Sequence, residues 1–339
     1  MERKVKFGIC ADVHAATIPE GEKRIADFLE ACRKENVDFV IELGDFCTPD
    51  YADGKTDAIG NPIHPKRDKY LNIQNVVDLW KNFEKPAYHV LGNHEHDTCD
   101  KKTVLDFYGE KNGAYYSFDK GGFHFVVLDN NYYLYNGEEY PYDTSNYYKD
   151  GKNKALGYLP KEQLEWLKQD LAKTKNPSIL FAHNWLHELP AYTHKEESKK
   201  NYDELMKIMT EAPSGVYMCM YGHVHVDHIF RTNNIWQYSI NSMSNCWIGT
   251  AFDVRERYSA EADEVFPALP RSVPWKDAVY AIVEMDEDGA MVTGTKSEFV
   301  GPSPEETGVY TNKKVPWNKR TFPVYISPEI ISRYITWMK

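Results

Sequence analysis

Val5-Lys6-Phe7-Gly8-Ile9-Cys10-Ala11-Asp12-Val13-His14 is the stretch on which the fold turns. Val5–Cys10 reads as a strand, and Asp12 and His14, residues of a type that can bind metals, follow it directly. The same arrangement returns four times. Phe39–Leu43 runs into Gly44-Asp45, and Tyr88–Leu91 runs into Gly92-Asn93-His94. Ser178–Ala182 ends on His183, and Val216–Tyr221 ends on Gly222-His223-Val224-His225. Open α/β sheets gather ligands in a crevice at the carboxyl ends of their strands. Strand after strand tipped with Asp, Asn or His therefore points to one shared centre.

Helical segments separate the strands. Glu22–Asn36 places Ile25, Phe28, Leu29 and Cys32 on one face at helical spacing. A second helix is expected around Leu71–Phe83, after a polar loop from Thr48 to Lys69. Pro160–Ala172 opens on a proline and repeats Leu164, Leu167 and Leu171 on one face. Hairpins are predicted for Tyr115–Phe118 with Phe123–Leu128, for Ile229–Ile240 about Asn233-Asn234, and for Ala278–Met285 with Ala290–Lys296. Helix–strand alternation followed by hairpins indicates an α/β architecture of mixed sheets sandwiched by helices. Asp253–Lys276 reads as a charged loop. We expect a catalytic domain over residues 1–300 and a tail, 301–339, packed on its surface, because Trp317, Phe322, Tyr334, Ile335 and Trp337 would be costly to leave in water.

The chain has 339 residues, 42% of them apolar and 14% aromatic, enough for a sizeable core. A net charge of −11 argues against tight binding to long nucleic acids. It does not oppose a small phosphate held at a locally positive site. The start lacks a signal-peptide apolar run, no stretch is long and apolar enough for membrane insertion, and the six cysteines follow no paired spacing. These features read as a cytoplasmic protein with reduced thiols. The oligomeric state is not readable from the sequence.

The ordered set Asp12-x-His14, Gly44-Asp45, Gly92-Asn93-His94, His183 and Gly222-His223-x-His225 resembles the motifs of the calcineurin-like metallophosphoesterases, across roughly Val5 to Asn241. The resemblance implies two packed mixed β-sheets flanked by helices, an αββα sandwich, and two metal ions. It implies Asp12, His14, Asp45 and His225 as ligands of the first metal, and Asp45 as bridge with Asn93, His183 and His223 for the second. His94 is implied as the catalytic residue beside the substrate phosphate. His96 and Asn184, next to these motifs, are further candidates for binding substrate. Many relatives carry an acid where Thr48 stands, three residues after Asp45; a carboxylate from elsewhere, such as Asp50, would have to replace it. No Arg follows Asp45 nearby and no Tyr stands at 48, which sets the chain apart from protein Ser/Thr phosphatases and purple acid phosphatases. What remains most resembles the bacterial cyclic-nucleotide phosphodiesterase-like and general phosphatase branches.

Carboxylate, amide and imidazole donors without thiolate suit manganese, iron or zinc. Two carboxylates against two divalent ions leave a net positive centre that attracts a phosphate. Ions about 3.5–4 Å apart clamp a phosphoryl group and lower the pKa of a bridging water from ~15.7 towards neutrality. The expected function is thus a dinuclear metal-dependent phosphohydrolase: a bridging hydroxide attacks a small phosphomonoester or phosphodiester, and His94 stabilises or protonates the leaving oxygen. One alternative is a pyrophosphatase for nucleotide- or lipid-linked diphosphates. Another, of a different class, is a catalytically silent metal-bound interaction module. Glu95 and Asp97 read either as residues that orient His94 or as solvated loop carboxylates. The Tyr-rich insertion from Tyr132 onward, with Trp185, His187 and Trp247, reads as a segment folded over by its own aromatics or as a wall of the site.

Overall fold

The structure, a computed structural model, describes residues 3–47, 73–97, 99–142, 157–187, 196–311 and 325–337, with the backbone alone for 196–200. The predicted loop from Thr48 to Lys69, with Asp50, lies outside the described residues. The chain begins with β1 (Lys4–Cys10), α1 (Gly21–Lys34), β2 (Phe39–Glu42), α2 (Ile73–Lys81), β3 (Ala87–His89) and α3 (Lys101–Tyr108). Next come β4 (Tyr116–Lys120), β5 (Phe123–Val127), β6 (Tyr132–Tyr135), β7 (Glu138–Pro141), α4 (Lys161–Lys173), β8 (Ser178–Ala182) and α5 (Glu196–Thr210). The remainder holds β9 (Val216–Tyr221), β10 (His228–Thr232), β11 (Ile235–Ser239), β12 (Asn245–Trp247), α6 (Ala260–Val265), β13 (Ser272–Pro274), β14 (Ala281–Asp286), β15 (Gly289–Gly294) and β16 (Arg333–Thr336).

Two six-stranded mixed sheets form the body, in the orders β16-β15-β14-β1-β2-β3 and β10-β11-β9-β8-β5-β4. Strand parity explains how they pack. Val5, Phe7 and Ile9 of β1, Phe39 and Ile41 of β2, and Phe125, Ile179 and Phe181 of the second sheet enter one core between the sheets. Phe7 stacks on Phe39 with centroids 4.8 Å apart and meets Phe181 edge-on at 6.1 Å. The intervening residues face outward. Cys10 and Val40 meet Ile25, Phe28 and Leu29 of α1 and Val76, Val77 and Trp80 of α2. Val126, Leu180 and Ala182 meet Leu164, Leu167 and Leu171 of α4 and Leu205 and Met209 of α5. The molecule is the αββα sandwich that the resemblance implies.

Four features differ from expectation or add to it. Asp253–Lys276 is not simply a loop: it holds α6, whose first turn is capped by Ser259 Oγ accepting from the Ala262 amide at 3.0 Å, and β13, which pairs with β12. Helices α3 and α5 were not anticipated; α3 is eight residues long, and the described apolar side chains of α5 are confined to its second half. The Tyr-rich insertion contains a hairpin, β6–β7, where Tyr133 stacks on Tyr140 and Tyr142 at 5.4 and 5.7 Å. Arg333–Thr336 pairs antiparallel with β15 as an edge strand of the first sheet. Among the described residues no helix is long and apolar enough to cross a membrane, and no disulfide joins the cysteines.

Candidate metal centre and active site

Strands β1, β2 and β3 run parallel in one sheet, as do β5, β8, β9 and β11 in the other. Their carboxyl ends deliver the seven predicted ligands to one place. Asp12, His14 and His225 form one group, and Asp45, His183 and His223 a second, each with ligand atoms within 4.8 Å of one another. In the first, His14 Nε2 and His225 Nε2 are 3.1 Å apart. In the second, His183 Nε2 lies 3.1 Å from Asn93 Oδ1 and 3.2 Å from His223 Nδ1. Asp45 Oδ2 stands 3.2 Å from His183 Nε2 and 3.7 Å from His14 Nε2, between the two groups.

The backbone there is unusual. Asp12, His14, Asp45, His223 and His225 all have positive φ, between 48° and 67°. An L-residue in this region costs on the order of 1–3 kcal/mol, which surrounding structure must offset. The strand-end loops supply that support: the Asp12 amide donates to the Gly44 carbonyl at 2.9 Å and the His14 amide to the Asp45 carbonyl at 2.8 Å. Gly92 is required by this close approach, since a Cβ there would lie 2.1 Å from the Asp45 nitrogen.

Second partners fix the imidazoles. His183 Nδ1 donates to the Leu43 carbonyl at 2.7 Å, and His225 Nδ1 to the Asn245 carbonyl at 2.6 Å. With Nδ1 committed, each Nε2 points at the centre and, in the neutral ring, offers it a lone pair. His183 Nε2 faces the Asn93 oxygen and the Asp45 carboxylate; burial opposes a ring proton there, but Asp45 outweighs it and raises the pKa to about 9, so either a proton or a metal cation fits between these acceptors. The donor set fits divalent metals of the manganese, iron and zinc type. Burial holds the pKa of His14 well below the ordinary value, and burial together with neighbouring His183 lowers His223 to about 3, so both are neutral rings able to ligate. Burial alone would raise Asp45; the His183 and His94 rings outweigh it and hold the carboxyl well below the usual range.

Beside the ligands, His94 lines a cleft with His14, Thr17, Asp45, Cys47 and Asp97. Its Nδ1 lies 2.8 Å from Asp97 Oδ2, and its amide donates to Asp45 Oδ1 at 2.8 Å. Burial opposes protonation of His94, but Asp97 and then Asp45 prevail and raise its pKa to about 10. His96 and Asn184 are both buried, at 2% exposure, and belong to neither ligand group. Asn184 donates through Nδ2 to Asn131 Oδ1 at 3.3 Å. Of the aromatic candidates, Trp247 meets the His14 ring edge-on at 5.3 Å, and Trp185 meets His223 at 6.2 Å.

Sequence reasoning missed the collar from Ser242 to Asn245. Ser242 and Ser244 hydroxyls donate to the Asp12 carbonyl at 2.8 and 3.1 Å, and Asn245 holds His225. Its signal was present: Asn241, Ser242, Ser244 and Asn245 cluster polar side chains just past the end of β11.

A model of the calcineurin-like phosphoesterase family matches residues 5–227, about two thirds of the chain and every candidate ligand. The chain belongs to the calcineurin-like phosphoesterase family. Its relatives include a manganese-dependent ADP-ribose/CDP-alcohol diphosphatase of Oryza sativa subsp. japonica, 25% identical over 291 residues, covering 72% of this chain and 85% of the relative. The Arabidopsis thaliana protein of the same name is 24% identical, covering 72% of this chain and 88% of its own. Among solved structures, a dimetal phosphatase from Danio rerio superposes with a TM-score of 0.53 at 15% identity, covering 87% of this chain and 98% of the other; it shares the fold. This member of the calcineurin-like phosphoesterases is a metal-dependent hydrolase of phosphate esters with a dinuclear centre.

Proposed function

We propose that the enzyme cleaves the phosphoanhydride bond of nucleoside diphosphate-linked substrates of the ADP-ribose or CDP-alcohol type, with manganese as the working metal. The observation that supports a two-metal centre is Asp45 Oδ2 placed between the two ligand groups, 3.2 Å from His183 Nε2 and 3.7 Å from His14 Nε2; the choice of a diphosphate rests on the relatives. In this reading Asp12, His14, Asp45 and His225 hold one ion, and Asp45, Asn93, His183 and His223 the other. Two ions bound there supply positive charge to the phosphoryl oxygens and an activated water.

The remaining work falls to the chain. His94 is the catalytic acid: Asp97 takes its Nδ1, which leaves Nε2 to place a proton on the departing oxygen. Trp247 and Trp185 flank the first and second ligand groups and offer apolar faces to a nucleobase or its sugar. The names and near-complete coverage of the rice and Arabidopsis relatives support a diphosphate over a simple ester.

The test is product analysis with manganese present. ADP-ribose should yield AMP and CDP-choline should yield CMP, each with kcat/KM at least about tenfold above that for nitrophenyl phosphate and bis-nitrophenyl phosphate. Faster turnover of either nitrophenyl ester, or of a cyclic nucleotide, would return the assignment to a phosphomonoesterase or phosphodiesterase. Absence of turnover on the whole panel with both ions bound would favour a binding module.

A further inference from the structure

The loop that carries Asp45 has four successive backbone N–H groups, and side chains take all of them. Glu42 Oε2 accepts from Gly44 at 2.7 Å, Glu95 Oε2 from Asp45 at 3.2 Å, and Glu95 Oε1 from Phe46 at 2.8 Å. Tyr108 Oη lies 3.3 Å from the Cys47 nitrogen and donates to the Cys47 carbonyl at 2.6 Å. Glu95 is fully buried, and among the described residues no Lys, Arg or His forms an ion pair with it. A buried carboxylate without a cationic partner is costly. Two amide donors offset part of that cost, and the Tyr108 hydroxyl lies 3.3 Å from Glu95 Oε1.

We infer that Glu95 is a positioning residue for the bridging carboxylate: it holds Asp45 in its left-handed conformation, φ 55°, and thereby sets the spacing of the two metal sites. The inference concerns the metal centre and does not depend on the diphosphate substrate.

A chemical asymmetry makes it testable. Glu95 uses both oxygens as acceptors for backbone donors, so Glu95→Gln forces an NH2 group against an N–H. Glu42 faces only one backbone donor; its other oxygen is 2.7 Å from His89 Nδ1, and His89 Nε2 has no partner among the described residues. A glutamine at 42 is accommodated when the His89 proton moves to Nε2. Each protein is loaded with two Mn(II) per chain and examined by electron paramagnetic resonance, with manganese affinity measured by calorimetry. Wild type should give an exchange-coupled spectrum. Glu95→Gln, still melting cooperatively, should give the spectrum of isolated ions and bind the second manganese about 10–100-fold more weakly. Glu42→Gln should lose distinctly less. Wild-type coupling and affinity in Glu95→Gln, or equal losses in both variants, would overturn the inference. Should Glu95→Gln not fold, Tyr108→Phe decides: weakened coupling supports the clamp on this loop, and wild-type coupling and affinity refute it.

Discussion

His94 Nδ1 lies 2.8 Å from Oδ2 of Asp97, three residues later on the same turn. The ring is therefore oriented locally, by a carboxylate that no ligand group uses. Asp97→Asn keeps an acceptor but removes the charge, so activity should fall about 10–100-fold while metal content is unchanged. Steady-state kinetics beside elemental analysis checks it; metal lost in step with activity would move Asp97 into the ligand support.

His94→Ala should keep both metals and the fold yet lose roughly 10²–10⁴-fold in turnover. The loss should shrink for nitrophenyl esters, whose leaving group needs little protonation, and stay large for alkyl esters. An equal loss across leaving groups would make His94 a phosphate-positioning group instead of an acid.

Asp45 stands between the two ligand groups, whereas His14 and His223 each serve one. Asp45→Ala should therefore strip more manganese than His14→Ala or His223→Ala, measured as ions per chain after identical purification. Equal metal loss in all three variants counts against a shared carboxylate.

Stability should carry a pH signature away from the centre. His124 Nδ1 lies 3.0 Å from Asp119 Oδ1 and Nε2 lies 2.9 Å from Asp170 Oδ2, tying β5 to β4 and α4. Burial lowers the pKa of His124, but hydrogen bonds to Asp170 and Asp119 outweigh it, so the folded value is raised. The sign follows: the stabilisation is complete below the unfolded pKa of about 6.5 and is lost as pH rises through the folded value. Melting curves should show wild type exceeding His124→Gln most near pH 6, with the gap narrowing in alkaline buffer. A gap independent of pH would show that the contacts are held without the charge.

Much was legible in the sequence because its signals are local. Strand parity from Val5 to Cys10, the apolar face of α1, and metal-type residues at successive strand ends each need only neighbouring residues to be read. They sufficed for mixed sheets sandwiched by helices and, together with the family resemblance, for the seven residues that converge at the centre. The tertiary structure alone decided what holds them. Glu95 reaches Asp45 across 50 residues, Leu43 orients His183 across 140, and Ser242 supports Asp12 across 230. No periodicity records such contacts, because a hydrogen bond between loops is specified by where two sheets bring their ends and not by the spacing of either loop. The reading of Glu95 shows the difference. The sequence placed it beside His94, but folding turned its carboxylate to the amides of Asp45 and Phe46, buried N–H groups that need an acceptor.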